Sequence, residues 1–116
     1  MSYQTNLSTI KELKTAHRIN DAAIWLKLSK LIKSSSKNNV ININKIDKYT
    51  QENDIIICPC KVLGNGTMSH KITLASFGIS LTAVNKIIYS GGKVVDFPYM
   101  INKFPTGKGV RIIEWN

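Results

Sequence analysis

Apolar residues are spaced in two ways along this chain. Up to about residue 50 they recur every third or fourth position, the helical period. From residue 54 onward they gather in short runs rich in β-branched residues, broken by glycine and proline. In the first part, Asn6 can cap a helix running to about residue 18, with Ile10, Leu13 and Ala16 on its apolar arc. Asp21 is placed to cap a second helix ending near Lys33. Ile24, Trp25, Leu28, Leu31 and Ile32 share one of its faces, and Lys27, Lys30 and Lys33 the other. Trp25 reads as a core anchor; Leu26 falls off the apolar face. After the polar linker Ser34–Asn39, Asn42 can cap a short helix carrying Ile43, Ile46 and Tyr49.

The second part predicts strands at Ile55–Cys58, Lys61–Leu63 and His70–Ala75. Ser80 then caps a helix with Leu81, Val84, Ile87 and Ile88 on its inner side, and Gly91-Gly92 ends it. A strand at Lys93–Val95 follows. The tail, Lys103-Phe104-Pro105-Thr106-Gly107-Lys108-Gly109-Val110-Arg111-Ile112-Ile113, is a basic glycine loop entering a last strand. With three prolines spread over 116 residues, the expectation is one domain over residues 1–116, helical from about 6 to 50 and mixed α/β from about 54.

Between two strand-like runs lies Gly64-Asn65-Gly66, with Lys61, His70 and Lys71 beside it. Glycine reaches positive φ without a Cβ penalty, so these residues suit a tight hairpin, with positive φ expected at both glycines. A backbone stripped of side chains at a basic turn also lets a phosphate ester approach closely.

Charge sharpens that reading. Sixteen Lys and Arg oppose seven Asp and Glu, a net charge of +9 with pI near 9.7. Such an excess fits a polyanionic partner, because each lysine at a phosphate releases a condensed counterion. Nine basic residues against three acids fall between residues 11 and 48. Lys11, Lys14 and Arg18 cluster within roughly 60° on the first helical wheel, and Glu12 points elsewhere. The 43% hydrophobic content suffices for a core, which excludes a disordered basic tail.

No apolar run reaches membrane-spanning length, and no basic helix carries an exposed aromatic face, so no membrane partner is expected. The N-terminus lacks a signal-peptide pattern, which predicts a cytoplasmic protein. Cys58 and Cys60 are too close for an unstrained bridge and have no second pair to complete a zinc site; both read as free thiols, one of them buried. The carboxylates show no paired or metal-ligand spacing, and neither histidine, His17 or His70, stands with a nucleophile. Gly107-Lys108-Gly109 lacks the frame of a phosphate loop. The pattern is that of a basic binding module, with no catalysis, metal, cofactor or small-molecule substrate expected. The candidate RNA contacts are Lys11, Lys14, Arg18, Lys37, Lys45, Lys61, Asn65, His70, Lys71, Lys108 and Arg111, with Gly64, Gly66, Gly107 and Gly109 as backbone turns.

Pro59-Cys60-Lys61-Val62-Leu63-Gly64-Asn65-Gly66 resembles the Pro-Gly-Lys-Val-Leu-Gly-x-Gly signature of the archaeal and eukaryotic large-subunit ribosomal protein eighteen-e family, which shares its fold with bacterial large-subunit protein fifteen. His70-Lys71-Ile72-Thr73-Leu74-Ala75 is similar to the family's His-Lys-Val-Thr-Val-Ala, and Ala23-Ile24-Trp25 to its Ala-Pro-Ile-Trp step. The segment from Val40 to Ile46, Ser90-Gly91-Gly92 and the stretch from Pro105 to Ile113 look like further landmarks, in order from residue 6 to 113. The short chain resembles archaeal members. Two positions depart: Ser34-Ser35-Ser36-Lys37-Asn38 replaces a Pro-Arg-Arg-Asn stretch, removing guanidinium forks, and Cys60 replaces the signature glycine. The resemblance implies an α/β domain with an irregular β-β-α superhelical core and a helical N-terminal extension. It further implies a structural constituent of the large ribosomal subunit, bound to its RNA and to neighbouring ribosomal proteins. The alternative is a small basic RNA-binding or regulatory protein acting off the ribosome.

Overall fold

The computed structural model describes residues 3–34 and 39–114. Its elements are α1 (Tyr3–Asn20), α2 (Ala23–Ser34), β1 (Val40–Asn42), α3 (Ile43–Tyr49), β2 (Asp54–Leu63), β3 (Ile72–Ile79), α4 (Leu81–Tyr89), β4 (Lys93–Val95), α5 (Phe97–Lys103) and β5 (Val110–Ile112). All five strands pair in parallel. The order is β1-β2-β3-β4, with β5 also on β2. β1 and β5 share one edge of β2: Val40 to Asn42 lie across from Lys61 to Leu63, and Val110 to Ile112 across from Ile55 to Ile57. The α/β expectation holds.

The parallel arrangement overturns the hairpin. Gly64-Asn65-Gly66 does not fold β2 back on a partner; residues 64–71 instead return along the sheet, so that Ile72 pairs with Asp54 at the start of β2. A hairpin can only make antiparallel neighbours, and parallel ones need such a crossover. The two strands expected at 55–58 and 61–63 are one strand. Its register against β3 slips between Cys58 and Lys61, where three steps of β2 oppose two of β3. Pro59 sits in this bulge, where a residue without an N–H costs the ladder least.

Both sheet faces are covered, and the alternation of β2 divides the core. Ile57, with Ala75 of β3, packs under Leu13, Ala16, Trp25, Leu28, Ile32, Phe97 and Met100 of α1, α2 and α5. Ile56, Cys58, Cys60 and Val62 turn to the opposite face, beneath Ile43, Ile46, Ala83 and Ile87 of α3 and α4. The isoleucine run that reads as a strand is thus buried on both sides, as parallel strands require. Trp25 is fully buried, and its indole N–H donates to the Pro105 carbonyl at 2.7 Å, tying α2 to the C-terminal loop.

Several local expectations change. α1 begins at Tyr3, so Asn6 is inside the helix and is not its cap. Asp21 has φ +50 and its N–H donates to the His17 carbonyl at 2.8 Å; it ends α1 in the left-handed conformation and does not cap α2. Asn42 does stand at the start of α3 but makes no side-chain cap; its Oδ1 accepts from the Asn65 N–H at 3.3 Å. Ser80 caps α4 as expected, accepting from the Ala83 N–H at 3.2 Å. Gly91 (φ +92) and Gly92 close that helix, donating to the Ile88 and Ile87 carbonyls in a Schellman motif. The inner face of α4, however, is Ala83 and Ile87, while Leu81 and Ile88 are 74% and 57% exposed. A nine-residue helix lying on a sheet seats one i, i+4 row, and the close approach of Gly64 to Thr82 and Ala83 selects it. Helix α5 has no counterpart among the expected elements. Its signal is Asp96, whose Oδ1 accepts from the Tyr99 N–H at 2.9 Å, followed by Pro98 in the first turn.

Both cysteines are free and buried, not one alone. Burial pushes the Cys58 thiol far up, with Cys60 adding to it, and raises Cys60 to about 11 despite Lys45 nearby. Folding therefore holds both thiols neutral. Their contribution is complete below the unfolded thiol range and is lost as pH rises through the folded value. The parent protein should accordingly lose stability faster between about pH 9 and 11 than Cys58→Ser/Cys60→Ser, measured by urea unfolding. At neutral pH the double variant should cost a few kcal/mol, about 1–3 per buried hydroxyl, with no effect of reductant on the parent.

Candidate nucleic-acid interface

Residues 64–71 run beside α3 and are held along their length. The Asn65 carbonyl accepts from the Asn44 N–H at 3.1 Å. Ser69 donates its N–H (2.9 Å) and its hydroxyl (2.7 Å) to Asp47 Oδ1. His70 sits between Asp47, 3.2 Å from Nδ1, and Thr50, 2.7 Å from Nε2. Thr50 gives its own proton to the Ile46 carbonyl, so the ring nitrogen is the donor of that pair. Burial works against ionisation of Asp47, but the Ser69 amide and hydroxyl and the His70 ring outweigh it, holding the carboxyl below its ordinary value. On the other side Lys86 of α4 reaches in, donating from Nζ to the carbonyls of Gly64 (2.6 Å) and Gly66.

This clamp explains the glycines. Gly66 has φ +108, and a Cβ there would lie 2.5–2.8 Å from Asn44. Gly64 is not in the left-handed region; its constraint is steric, with Thr82 atoms at 2.7–2.8 Å from a built Cβ. Gly107 (φ +75) is pressed so closely against Ile24 that a Cβ would collide with it. These three serve internal packing. Gly109 (φ +81) has nothing within 4 Å and stands open.

The charges expected around the turn are split. Lys61 and Asn65 lie at the carboxyl end of β2, whereas His70 and Lys71 precede β3 at the other end, roughly 20–25 Å of strand away. At that second end, Lys71, Lys108 and Arg111 gather with Lys93, which pairs across from Thr73 and is not among the sequence candidates. Lys71, Lys108, Arg111 and Lys93 are exposed, and the Arg111 guanidinium forms an ion pair with Asp54 at 3.0 Å. Lys45 is half-buried and donates to the Glu114 carbonyl at 3.2 Å. Lys37 lies outside the described residues.

Lys11, Lys14 and Arg18 are brought together as the helical period requires. All three are exposed on α1 and line one shallow groove with Ile10 and Thr15. Glu12 faces a different groove, towards Pro98 and Ile101 of α5. Among the described residues none of the three cations forms an ion pair with a carboxylate. No cluster of three metal-ligating side chains occurs among the described residues, and no helix there is long and apolar enough to cross a membrane. Lys86 is the residue that sequence reasoning missed most plainly. It falls in the last turn of an expected helix, and its partners are backbone atoms twenty or more residues away.

Substitution of the glycines should separate these roles. Gly66→Ala meets both positive φ and the Asn44 backbone, and should cost several kcal/mol in urea unfolding. Gly109→Ala meets only the left-handed penalty, about 1–2 kcal/mol. Equal losses at the two positions would remove the clamp as the reason for Gly66.

Residues 4–95 match the family described as the ribosomal proteins 50S-L15 and 50S-L18e together with their 60S counterpart. The chain is 35% identical over 102 residues to Large ribosomal subunit protein eL18 of Pyrobaculum aerophilum, covering 87% of this chain and 84% of that one. With the protein of the same name from Sulfolobus acidocaldarius the identity is 35% over 108 residues, covering 90% and 92%. For that from Methanococcus maripaludis it is 36% over 105 residues, covering 90% and 88%. Over most of its length, then, from the N-terminal helix pair to the strand after α4, this chain belongs to the L15/L18e family of large-subunit ribosomal proteins.

Proposed function

We propose that the chain is a structural constituent of the large ribosomal subunit in the cytoplasm and binds ribosomal RNA through its exposed cations. The observation that carries this reading is the trio Lys11, Lys14 and Arg18, side by side on α1 with no carboxylate paired to them among the described residues. Three cations on one exposed helical face repel one another, and a phosphate backbone relieves that repulsion while releasing its counterions. The relatives named as large-subunit ribosomal proteins supply the identity of the polyanion.

The second contact surface is the amino end of the sheet, where Lys71, Lys93 and Lys108 stand on short, anchored segments. β5 ties Lys108 down: Val110 pairs with Ile55, and the Ile113 N–H donates to the Ile57 carbonyl at 3.0 Å. A held cation loses less entropy on binding than one on a loose tail. Arg111 shares its charge with Asp54 and so contributes less than its exposure suggests.

Purified protein should bind large-subunit RNA with log K falling against log salt at a slope of roughly −3.5 to −7, for about five to eight phosphate contacts. Lys11→Gln/Lys14→Gln/Arg18→Gln should flatten that slope by about 2–3, whereas the equal charge removal Lys27→Gln/Lys30→Gln/Lys33→Gln on α2 should change it less. A near-zero parental slope, or equal effects of the two triple variants, would overturn the assignment of α1.

At the sheet end, Lys108→Glu should weaken RNA binding more than Lys30→Glu at equal ionic strength, both proteins remaining folded. In cell extract the protein should sediment with large subunits at one copy each; a light fraction would favour a role off the ribosome.

A further inference from the structure

Tyr89 is 96% exposed, the most exposed large hydrophobic side chain described, yet its backbone is firmly fixed, one residue before the Schellman closure of α4. It forms one wall of a groove of about 450 Å³ between α4 and the 64–71 crossover, a size within the usual range for small-molecule sites. Met68 forms the floor and packs on the α3–α4 core. Asn85 contributes an amide, Thr67 and Thr82 hydroxyls, and Lys86 a cation; no lining residue is acidic.

We infer that this groove receives one unpaired base of the RNA, stacked on Tyr89; the inference rests on the RNA-binding reading above. A nucleobase has flat apolar faces and a hydrogen-bonding edge, and this lining offers an aromatic face, a sulfur floor and an amide with both donors and an acceptor. Two of the three Lys86 N–H donors go to the Gly64 and Gly66 carbonyls, which fixes the ammonium at the groove wall and leaves one for a phosphate or base acceptor. Electrostatics select the occupant: a groove with a cation and no carboxylate, in a chain of net charge +9, suits a nucleotide. Leu81 and Ile88 form a separate apolar stripe, about 80–100° around the helix from Tyr89, and are not needed for the site. Single-stranded RNA is the form that fits, because bases inside a duplex present no free face to stack.

The test uses the full chain and a short single-stranded RNA carrying one 2-aminopurine, with an RNA duplex of equal charge as comparison. Binding should quench or shift the 2-aminopurine fluorescence. Tyr89→Ala and Tyr89→Leu should weaken single-strand binding by roughly five- to a hundredfold, Tyr89→Phe should retain it, and duplex binding and the salt slope should stay unchanged. With its side chain in solvent, Tyr89 can be replaced without altering the melting temperature, so loss of fold does not mimic loss of binding. Parent-like single-strand affinity in Tyr89→Ala would overturn the base site while leaving electrostatic RNA binding intact. Failure of the parent to bind either RNA would overturn both readings. Unchanged RNA affinity with loss of Tyr89→Ala from assembled large subunits would assign the surface to a neighbouring protein and overturn the base site.

Discussion

Burial of β2 on both faces is the constraint from which the rest of this structure follows. It pairs along one edge with β3 and along the other with β5 and β1, so its backbone groups are satisfied within the sheet. Its side chains alternate between two cores, Ile57 to one and Ile56 and Cys58 to the other. A strand apolar on both faces is stable only if helices cover both. The N-terminal helix pair supplies one cover, led by Trp25, and α3 with α4 supplies the other. What the sequence presents as a helical extension is therefore half of the hydrophobic core.

That double cover also determines where charge can sit. The apolar sides of α1 and α2 face the sheet, so their lysines and Arg18 are forced outward, and cations collect on the helix surface and at the strand ends. The 64–71 crossover has no helix of its own and is fastened to its neighbours by Asn42, Asp47, Thr50 and Lys86. In consequence two charges that a polyanion could have used, on His70 and Lys86, are directed largely at protein atoms. Polar groups of this kind keep an irregular segment in one conformation, because each backbone group left unmet beside the core would cost about 1–3 kcal/mol.

A basic domain built this way meets its polyanion with little to reorganise. The cations of α1 ride on a helix whose Leu13 and Ala16 are locked in the core, and those of the C-terminal loop hang from β5. Most of the ordering entropy is removed during folding and not during binding. Such an arrangement fits a constituent of a large assembly better than a loose basic tail does.

Much of this was legible from local pattern. The apolar faces of α1 and α2, Trp25 as an anchor, the Ser80 cap, the Gly91-Gly92 stop and the cation trio all follow from helical period and capping chemistry, which act within about one turn of chain. The signature resemblance placed the chain in its family by residues alone. Tertiary structure decided the rest. Gly64-Asn65-Gly66 reads as a hairpin because turn chemistry is local, whereas parallel pairing depends on which edge of β2 meets which strand. Lys61 and Lys71 look adjacent around that turn and are carried to opposite ends of a strand by the same pairing. Whether Leu81 or Ala83 faces inward depends on the surface beneath α4, and whether a lysine is free for a phosphate or fixed like Lys86 depends on carbonyls distant in sequence. Period and caps are properties of a segment; strand order, helix facing and the partner of a charge are properties of the packed whole.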